Sequence, residues 1–353
     1  MSSEWPYGVT DSLGMWDVTA SLPEQVSAAA AQVAELSNLP DRSRVENIVV
    51  FGMGGSGIAG DVLIAAAGPV LPVPALVVKS YTTPAYVSTG TLVFAMSFSG
   101  ATEETVEAVG MAIELGAQVV VVASGGELAE MARETNSVLI SVPESIPQPR
   151  AALGAMSIPP LAVLDAIGLF PGGDYWIDQT VSQLQRRRDQ LVGRRSISED
   201  IAERLAGKLS LMHSSGSVGQ AAATRWRAQI NENAKAMAFY SLYPENCHNE
   251  LAGWDALSTL TRKDLAVVRL RHDNEHPQIN RRYEITADFI DPNVAEAIEV
   301  RAQGEGELAQ FFDLALVGDF VSLHLAGGYG VDPGPIGVLN ELKSRLKSPA
   351  KAL

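Results

Sequence analysis

The sequence predicts an α/β protein of two units, each a mainly parallel sheet flanked by helices. Three observations predict it. Short apolar runs alternate with longer amphipathic stretches, the pattern of parallel strands joined by helical crossovers. At 353 residues the chain exceeds what one ordinary core organises, so two domains are expected. Two of the apolar runs end in glycine- and hydroxyl-rich turns, Gly52-Met53-Gly54-Gly55-Ser56-Gly57 and Ser97-Phe98-Ser99-Gly100-Ala101-Thr102, each followed by a helical pattern.

The elements follow in chain order. Residues 1–20 read as a loose arm. Strands are expected at 48–51, 75–78, 92–96, 119–122 and 138–141. The stretch 102–115 is a helix with Val106, Val109, Ala112 and Ile113 on one face, Thr102 at its N-cap, and Glu103 and Glu104 in its first turn. Pro171-Gly172-Gly173-Asp174 is the linker candidate, which places one domain at 1–172 and the other at 173–353. From about Ile177 a helix carries Ile177, Val181, Leu184 and Leu191 on one side, and its Arg186-Arg187-Arg188 run reads as a solvated basic face. In the second half strands are expected at 209–212, 241–243, 265–270 and 295–300, with a helix over 225–238. The two halves repeat an architecture rather than a sequence.

Composition narrows the function. The chain is 46% hydrophobic and 19% charged, enough to bury a core, and its formal net charge is −15. Such a surface opposes nucleic acid and anionic membranes as partners, and a phosphate would have to be held by local donors. Cys247 stands alone, so no intrachain disulfide forms. The first residues lack a secretory signal pattern and no run of 18 apolar residues is seen, so the expectation is a soluble cytoplasmic protein. Metal and cofactors are not expected, on the view that ligand-spaced His, Cys and Glu clusters are missing.

The two turns suggest the ligand. A strand that ends in a tight turn and enters a helix aims backbone N–H groups and hydroxyls at one spot, where the helix N-terminus favours negative charge. Two such turns on neighbouring strands would cradle one phosphate. Gly52-x-Gly54-x-x-Gly57 also matches the dinucleotide fingerprint, but the following strand at 75–78 ends in Lys79-Ser80-Tyr81 where a ribose-binding carboxylate belongs. An NADP site using Lys79, and a bare turn with no ligand, stay open on the first loop alone. The second loop, with Ser97, Ser99 and Thr102, suits the terminal oxygens of a phosphomonoester.

Ser97-Phe98-Ser99-Gly100-Ala101-Thr102-Glu103-Glu104-Thr105 resembles the sugar-phosphate loop of sugar isomerase (SIS) domains, close to S-x-S-G-x-T-x-E-T. Pro149-Arg150-Ala151-Ala152-Leu153, Asn231-Glu232-Asn233-Ala234-Lys235, Pro244-Glu245-Asn246-Cys247-His248-Asn249, and Val331-Asp332-Pro333 through Leu342-Lys343 extend the likeness over most of the chain. Together they resemble the bifunctional phosphoglucose/phosphomannose isomerases. That resemblance implies two SIS-type α-β-α sandwich domains, hexose 6-phosphate substrates and no cofactor. It implies phosphate contacts from Gly54, Gly55, Ser56, Ser97, Ser99 and Thr102. Glu232 is implied as the base that moves a proton between C1 and C2, and His248, reaching across a homodimer, as the group that opens the ring. Lys343 is implied as its helper at the ring oxygen, and Arg150 as the stabiliser of the enediolate.

Read without the resemblance, Glu232 is an exposed helix glutamate, Lys343 an exposed lysine on the last helix, and Arg150 half of an interdomain salt bridge. His213, His272, His276 and His324 have no motif around them and read as structural or surface residues. The chain departs from the family pattern at Ala101, where the loop commonly has Asn, at Cys247, often a second His, and at Ile336, where bifunctional members carry a threonine associated with accepting both C2 epimers. Two rivals remain: a sugar-phosphate sensor without turnover, and the isomerase half of a glucosamine-phosphate synthase, which needs a glutaminase cysteine that Met1-Ser2-Ser3 does not offer.

Overall fold

The computed structural model describes residues 5–346. The start of the arm and the extreme C-terminus lie outside that range. Helices α1 (Met15–Ala20) and α2 (Leu22–Ala34) precede the first sheet, which is laid down as β1 (Asn47–Gly52), α3 (Gly54–Ala66), β2 (Ala75–Val78), β3 (Thr91–Met96), α4 (Glu103–Glu114), β4 (Gln118–Ala123), α5 (Gly126–Glu134) and β5 (Val138–Ser141). Three helices, α6 (Leu153–Ala166), α7 (Gly173–Leu191) and α8 (Ile197–Leu205), lead to the second sheet. It runs β6 (Leu209–Ser215), α9 (Gly216–Asn233), β7 (Ala238–Tyr243), α10 (Ser258–Asp264), β8 (Leu265–Arg271), α11 (Pro277–Ile290) and β9 (Glu296–Arg301). Helices α12 (Gly306–Tyr329) and α13 (Gly337–Leu346) close the described chain.

Both sheets are wholly parallel, in the orders β2-β1-β3-β4-β5 and β7-β6-β8-β9. In each, the first strand lies between the second and the third. All nine expected strands form, with ends shifted by a few residues. Central strands such as β3 are buried on both faces, which is why they read as unbroken apolar runs rather than alternations.

One apolar core runs through both halves, from α2, α3 and α6 to α9 and α12. Helix α12 is its axis: every residue from Leu308 to Ala326 is buried. By length and composition it could cross a membrane, but that stretch lies wholly inside the protein. Asp313, Asp319 and His324 interrupt it, so it holds no run of 18 apolar residues. Gly318 has a packing reason: a Cβ there would stand 2.3 Å from Trp226 Nε1, which donates to the Leu314 carbonyl at 2.8 Å.

Several expectations need correction. Among the described residues the arm is not loose, since Met15 and Trp16 are 1% and 2% exposed. The 171–174 segment is mostly a helix start, with Gly172 in the left-handed region as N-cap and α7 already running from Gly173. The 225–238 helix ends at Asn233, and Ala238 opens β7. In α4 the buried stripe is Thr105, Ala108, Val109 and Ala112, with Val106 and Ile113 at its margin. The basic run is not one solvated face. Arg187 points into α12 and pairs with Asp313 at 2.8 Å, both buried, while Arg188 pairs with Glu24.

Candidate active site

The two turns meet at the C-terminal ends of β1 and β3, which are hydrogen-bonded neighbours. The Phe98 N–H donates to Ser56 Oγ at 2.9 Å, so the first turn is tied to the second. The N–H groups of Ser56 and Gly57 turn back to the Met53 carbonyl, leaving the amides of Gly54 and Gly55 without a helical acceptor at the mouth of α3 among the described residues. The glycines are required by close approach. A Cβ on Gly57 would stand 2.7 Å from the Gly52 carbonyl, and one on Gly100, at φ +66, only 1.7 Å from the Gly125 carbonyl.

In the second turn Ser97 is fully buried and its Oγ bonds Thr102 Oγ1 at 2.8 Å. Thr102 stands at the N-cap of α4 as expected, but its hydroxyl serves Ser97 and not a helix amide. Ser99 is exposed, with its Oγ accepting the Ala101 N–H at 3.3 Å. The turn therefore has an inner, braced hydroxyl pair and an outer serine facing solvent. Lys79 is unavailable to a nucleotide: its Nζ is paired with Asp61 Oδ2 at 2.5 Å. The dinucleotide reading of the first loop loses its cation.

A second cluster touches the first turn. A Cβ on Gly55 would stand 3.0 Å from the Arg150 backbone N, so the glycine lets the Pro149–Ala151 turn lie on the cradle. Arg150 is 3% exposed and its guanidinium is fixed on several sides. It donates from Nε to Asn233 Oδ1 at 2.7 Å, and from Nη2 to the carbonyls of Pro333 and Gly334 at 2.7 and 2.6 Å. Its Nη1 lies 3.6 Å from Glu232 Oε2. The salt bridge expected of Arg150 between the halves thus exists, and its partner is the candidate base.

Glu232 sits in the last turn of α9, with 28% of its side chain accessible. Burial pushes its carboxyl above the usual glutamate range, against the opposing pull of Arg150, Arg225, Lys235 and Lys343. The carbonyl end of a helix is itself unfavourable to a carboxylate. Burial lowers the pKa of Arg150, with Glu232 pulling the other way. Lys235, at φ +53 just past the helix, donates to the carbonyls of Asp332 and Pro333 at 2.8 and 3.2 Å, and burial lowers its pKa.

Behind this cluster lies a layer that sequence reasoning missed. Asn233 donates to Ser322 Oγ at 2.9 Å, and Ser322 in turn donates to the Asp319 carbonyl. Arg225 and Asp319 form a buried pair at 2.6 Å, Gln229 donates to the same carboxylate, and Arg225 donates to the Arg150 carbonyl. These partners are about 90 positions apart in the chain, as |i−j| of 94 and 90 show, and no local signal marks them. Asn233 carried a signal: an amide in the last turn of a helix, where asparagine is a weak former.

Not every expected residue joins the cluster. Lys343 lies exposed on α13, near enough to act on Glu232 only through its charge. His248 is exposed in the turn Glu245–His248 after β7 and bonds to none of the cluster among the described residues. Cys247 is half-buried, its Sγ 3.5 Å from Asn246 Oδ1. Ile336 lies in the segment between the Arg150-binding carbonyls and α13, half-buried. The other histidines are structural or surface residues as read: His213 is buried against Glu250 at 2.8 Å, and exposed His276 accepts the Gln278 N–H. One ligand-type spacing was overlooked, His272-Asp273-Asn274-Glu275-His276. His272 donates to the Ser215 carbonyl, Glu275 binds Arg271, and no group of three potential ligands converges among the described residues.

Two parallel sheets of this order, with a hydroxyl-rich cradle on one and a carboxylate–guanidinium pair against it, define a sugar-phosphate protein of the SIS class. The SIS domain model matches residues 43–167, and the bacterial phospho-glucose isomerase C-terminal SIS domain model matches residues 195–346. The chain belongs to the bifunctional phosphoglucose/phosphomannose isomerase family. It is 32% identical to the member from Caldicellulosiruptor bescii over 94% of this chain and 98% of that protein. Identity to the Aquifex aeolicus member is 31%, over 88% and 93%. A D-glucosamine-6-phosphate 4-epimerase from Sulfolobus acidocaldarius is 34% identical over a shorter span, 61% of this chain and 66% of that one. Among solved structures, the C-terminal domain of glucosamine-fructose-6-phosphate aminotransferase from Francisella tularensis has TM-score 0.68 at 16% identity, covering 91% of this chain and 98% of that one. That likeness is one of fold.

Proposed function

We propose that this chain interconverts fructose 6-phosphate with glucose 6-phosphate and with mannose 6-phosphate through a cis-enediol. The observation that carries the reading is the Glu232–Arg150 pair beside the cradle: a partly accessible carboxylate of raised pKa, 3.6 Å from a guanidinium that cannot move. The phosphate rests on the amides of Gly54 and Gly55 and on the hydroxyls of Ser56, Ser97, Ser99 and Thr102. Glu232 takes a proton from C1 of the open-chain ketose and returns it to C2, one face giving the gluco epimer and the other the manno. Arg150 balances the charge that gathers on the enediolate oxygens, and because it is already held it needs no reorganisation to do so.

Ring opening falls to His248 with Lys343 assisting at the ring oxygen. The exposure of His248 and its separation from Glu232 within one chain support its donation from a partner subunit, so the working enzyme is a homodimer. The division at 172/173 is supported by the two family matches falling on either side of it, and puts the site between the domains, since Arg150 and Glu232 come from different halves. A cytoplasmic setting suits the substrates. Because Glu232, Arg150 and the cradle are all present, turnover is favoured over sensing.

The test is a coupled assay of purified protein on fructose 6-phosphate and, separately, on mannose 6-phosphate. Glucose 6-phosphate from both is expected. Product from fructose 6-phosphate alone would mean that Ile336 restricts the enzyme to the gluco epimer. Binding of both sugars without product would make the chain a sensor.

A further inference from the structure

A cavity of about 650 Å³ lies between the N-terminal arm, the turn from α7 to α8, and the end of α12, and shares no residue with the site above. Its volume is that of a small-molecule pocket. Trp5 and Trp16 form one wall, their ring centroids 5.7 Å apart, and Trp5 is pinned by its Nε1 donating to the Val9 carbonyl. Trp16, 2% exposed, packs edge-on against Phe320 and His324, so it backs Trp5 from behind. Arg194 and Arg195 form the rim, both exposed and neither guanidinium in an ion pair among the described residues.

Two buried polar atoms of the lining lack partners among the described residues: Trp16 Nε1 and His324 Nε2, on residues 2% and 3% exposed. The other ring nitrogen of His324 bonds the Tyr7 hydroxyl at 2.8 Å, and burial holds this histidine near a pKa of 4, hence neutral at pH 7. A buried indole N–H without an acceptor costs free energy, and structures keep such orphans where something else satisfies them. The one carboxylate present, Glu199, already accepts the Arg195 backbone N–H at 2.6 Å and retains acceptor capacity.

The set contains two indole rings, an unsatisfied buried donor, a carboxylate and two unpaired guanidiniums. We infer that this pocket binds a nucleotide, its base on the accessible part of Trp5 beside Glu199 and its phosphates on Arg194 and Arg195. Stacking on aromatic faces and bidentate arginine–phosphate contacts are how proteins hold that ligand class. This goes beyond the isomerase reading and does not depend on it.

The pocket also touches the machinery that holds Arg150. On the same arm, the Ser12 N–H donates to Asp332 Oδ1 at 3.3 Å, and Leu13 packs so closely on Gly334 that a Cβ there would stand 2.7 Å from its Cγ. Pro333 and Gly334 are the carbonyls that receive Arg150 Nη2. On α12, His324 lies two residues beyond Ser322, which carries Asn233. A nucleotide seated against the arm therefore bears on the support of Arg150, and its occupancy should register in kcat or KM.

Two of the five tryptophans line the pocket, so intrinsic fluorescence reports occupancy directly. The full-length protein is titrated with ADP and GDP in the presence of saturating fructose 6-phosphate, which keeps the cradle filled. Saturable quenching is expected. It should weaken about tenfold or more in the exposed double variant Arg194→Gln/Arg195→Gln, the scale of losing charge-assisted phosphate contacts. It should weaken several-fold in Trp16→Phe, which removes the orphan donor and keeps a ring. Inorganic phosphate alone should not quench. No saturable quenching, or quenching that the arginine substitutions leave unchanged, would overturn the proposal.

Discussion

The C-terminal ends of the two sheets have the same topology and opposite contents. At the first, β1 and β3 end in glycines and small hydroxyls, with Gly54 exposed and Gly55 lying under the Arg150 backbone. At the second, β6 ends at Ser215 before Gly216, and β8 ends in Arg271, whose guanidinium is locked on Glu275 at 2.7 Å and stacked over Tyr283 at 3.9 Å from the ring centroid. Open parallel sheets bind ligands where the strand order reverses, and both sheets have such a point. The first keeps small side chains there. The second is lined by larger ones: Arg271 is tied to Glu275, and a cavity of about 510 Å³ beside them is bordered by Tyr243, His272 and Arg282. The proposed phosphate cradle belongs to the first sheet, and the second half brings Glu232 from the far end of α9.

Substitutions can break that contrast. Gly100→Ala should have the largest effect, since its Cβ would overlap the Gly125 carbonyl at 1.7 Å and sit at φ +66. A loss above about 3 kcal/mol is expected in a urea melt, the top of the overpacking range. Gly216→Ala, at the corresponding end of the second sheet, has a similar φ of +62 but nothing nearer than 3.8 Å, so only the left-handed strain of about 1 kcal/mol should appear. Equal losses at the two glycines would mean that the cradle is not the tighter turn.

Glu275→Gln should cost about 3 kcal/mol, because it leaves Arg271 without its buried counter-charge, yet leave KM for fructose 6-phosphate unchanged. Ser99→Ala should do the reverse. Stability should hold while KM rises about tenfold, the scale of one hydrogen bond to a charged group. A KM effect at Glu275 would place a ligand group on the second sheet. The smallest effect sharpens the chemistry. The acidic limb of kcat/KM should lie above the ordinary glutamate value, because burial raises Glu232 and the base works deprotonated, so activity rises with pH through it. Lys343→Met removes a charge that favours the carboxylate, and should move that limb higher, by less than any of the nearer charges would, since a screened interaction is weak.

The strands of both halves could be read from sequence because β-branched runs between turns have few other uses. Their turns were legible for the same reason: Gly100 and Gly57 are glycines that geometry demands. Helix α12 was not, since it is buried on every side and has no amphipathic period. Nor was α6, where Pro159 and Pro160 look like breakers yet lie inside the helix. Arg187 was misread because a charge run usually solvates, and only the packing of α7 on α12 turns its middle member inward. The cradle could be argued from residue chemistry alone. Glu232 and Arg150 could not, since their pairing spans the two halves and needed the family resemblance to be seen as a site.

The central claim is that the two halves converge on one base, and Glu232→Gln tests it most directly. The side chain keeps its size and its place beside Arg150. With fructose 6-phosphate as substrate in the coupled assay, the account predicts that kcat falls by about 10²–10⁴-fold, the usual worth of a general base, while the variant still binds the sugar phosphate. Near wild-type turnover by a folded Glu232→Gln protein would contradict it.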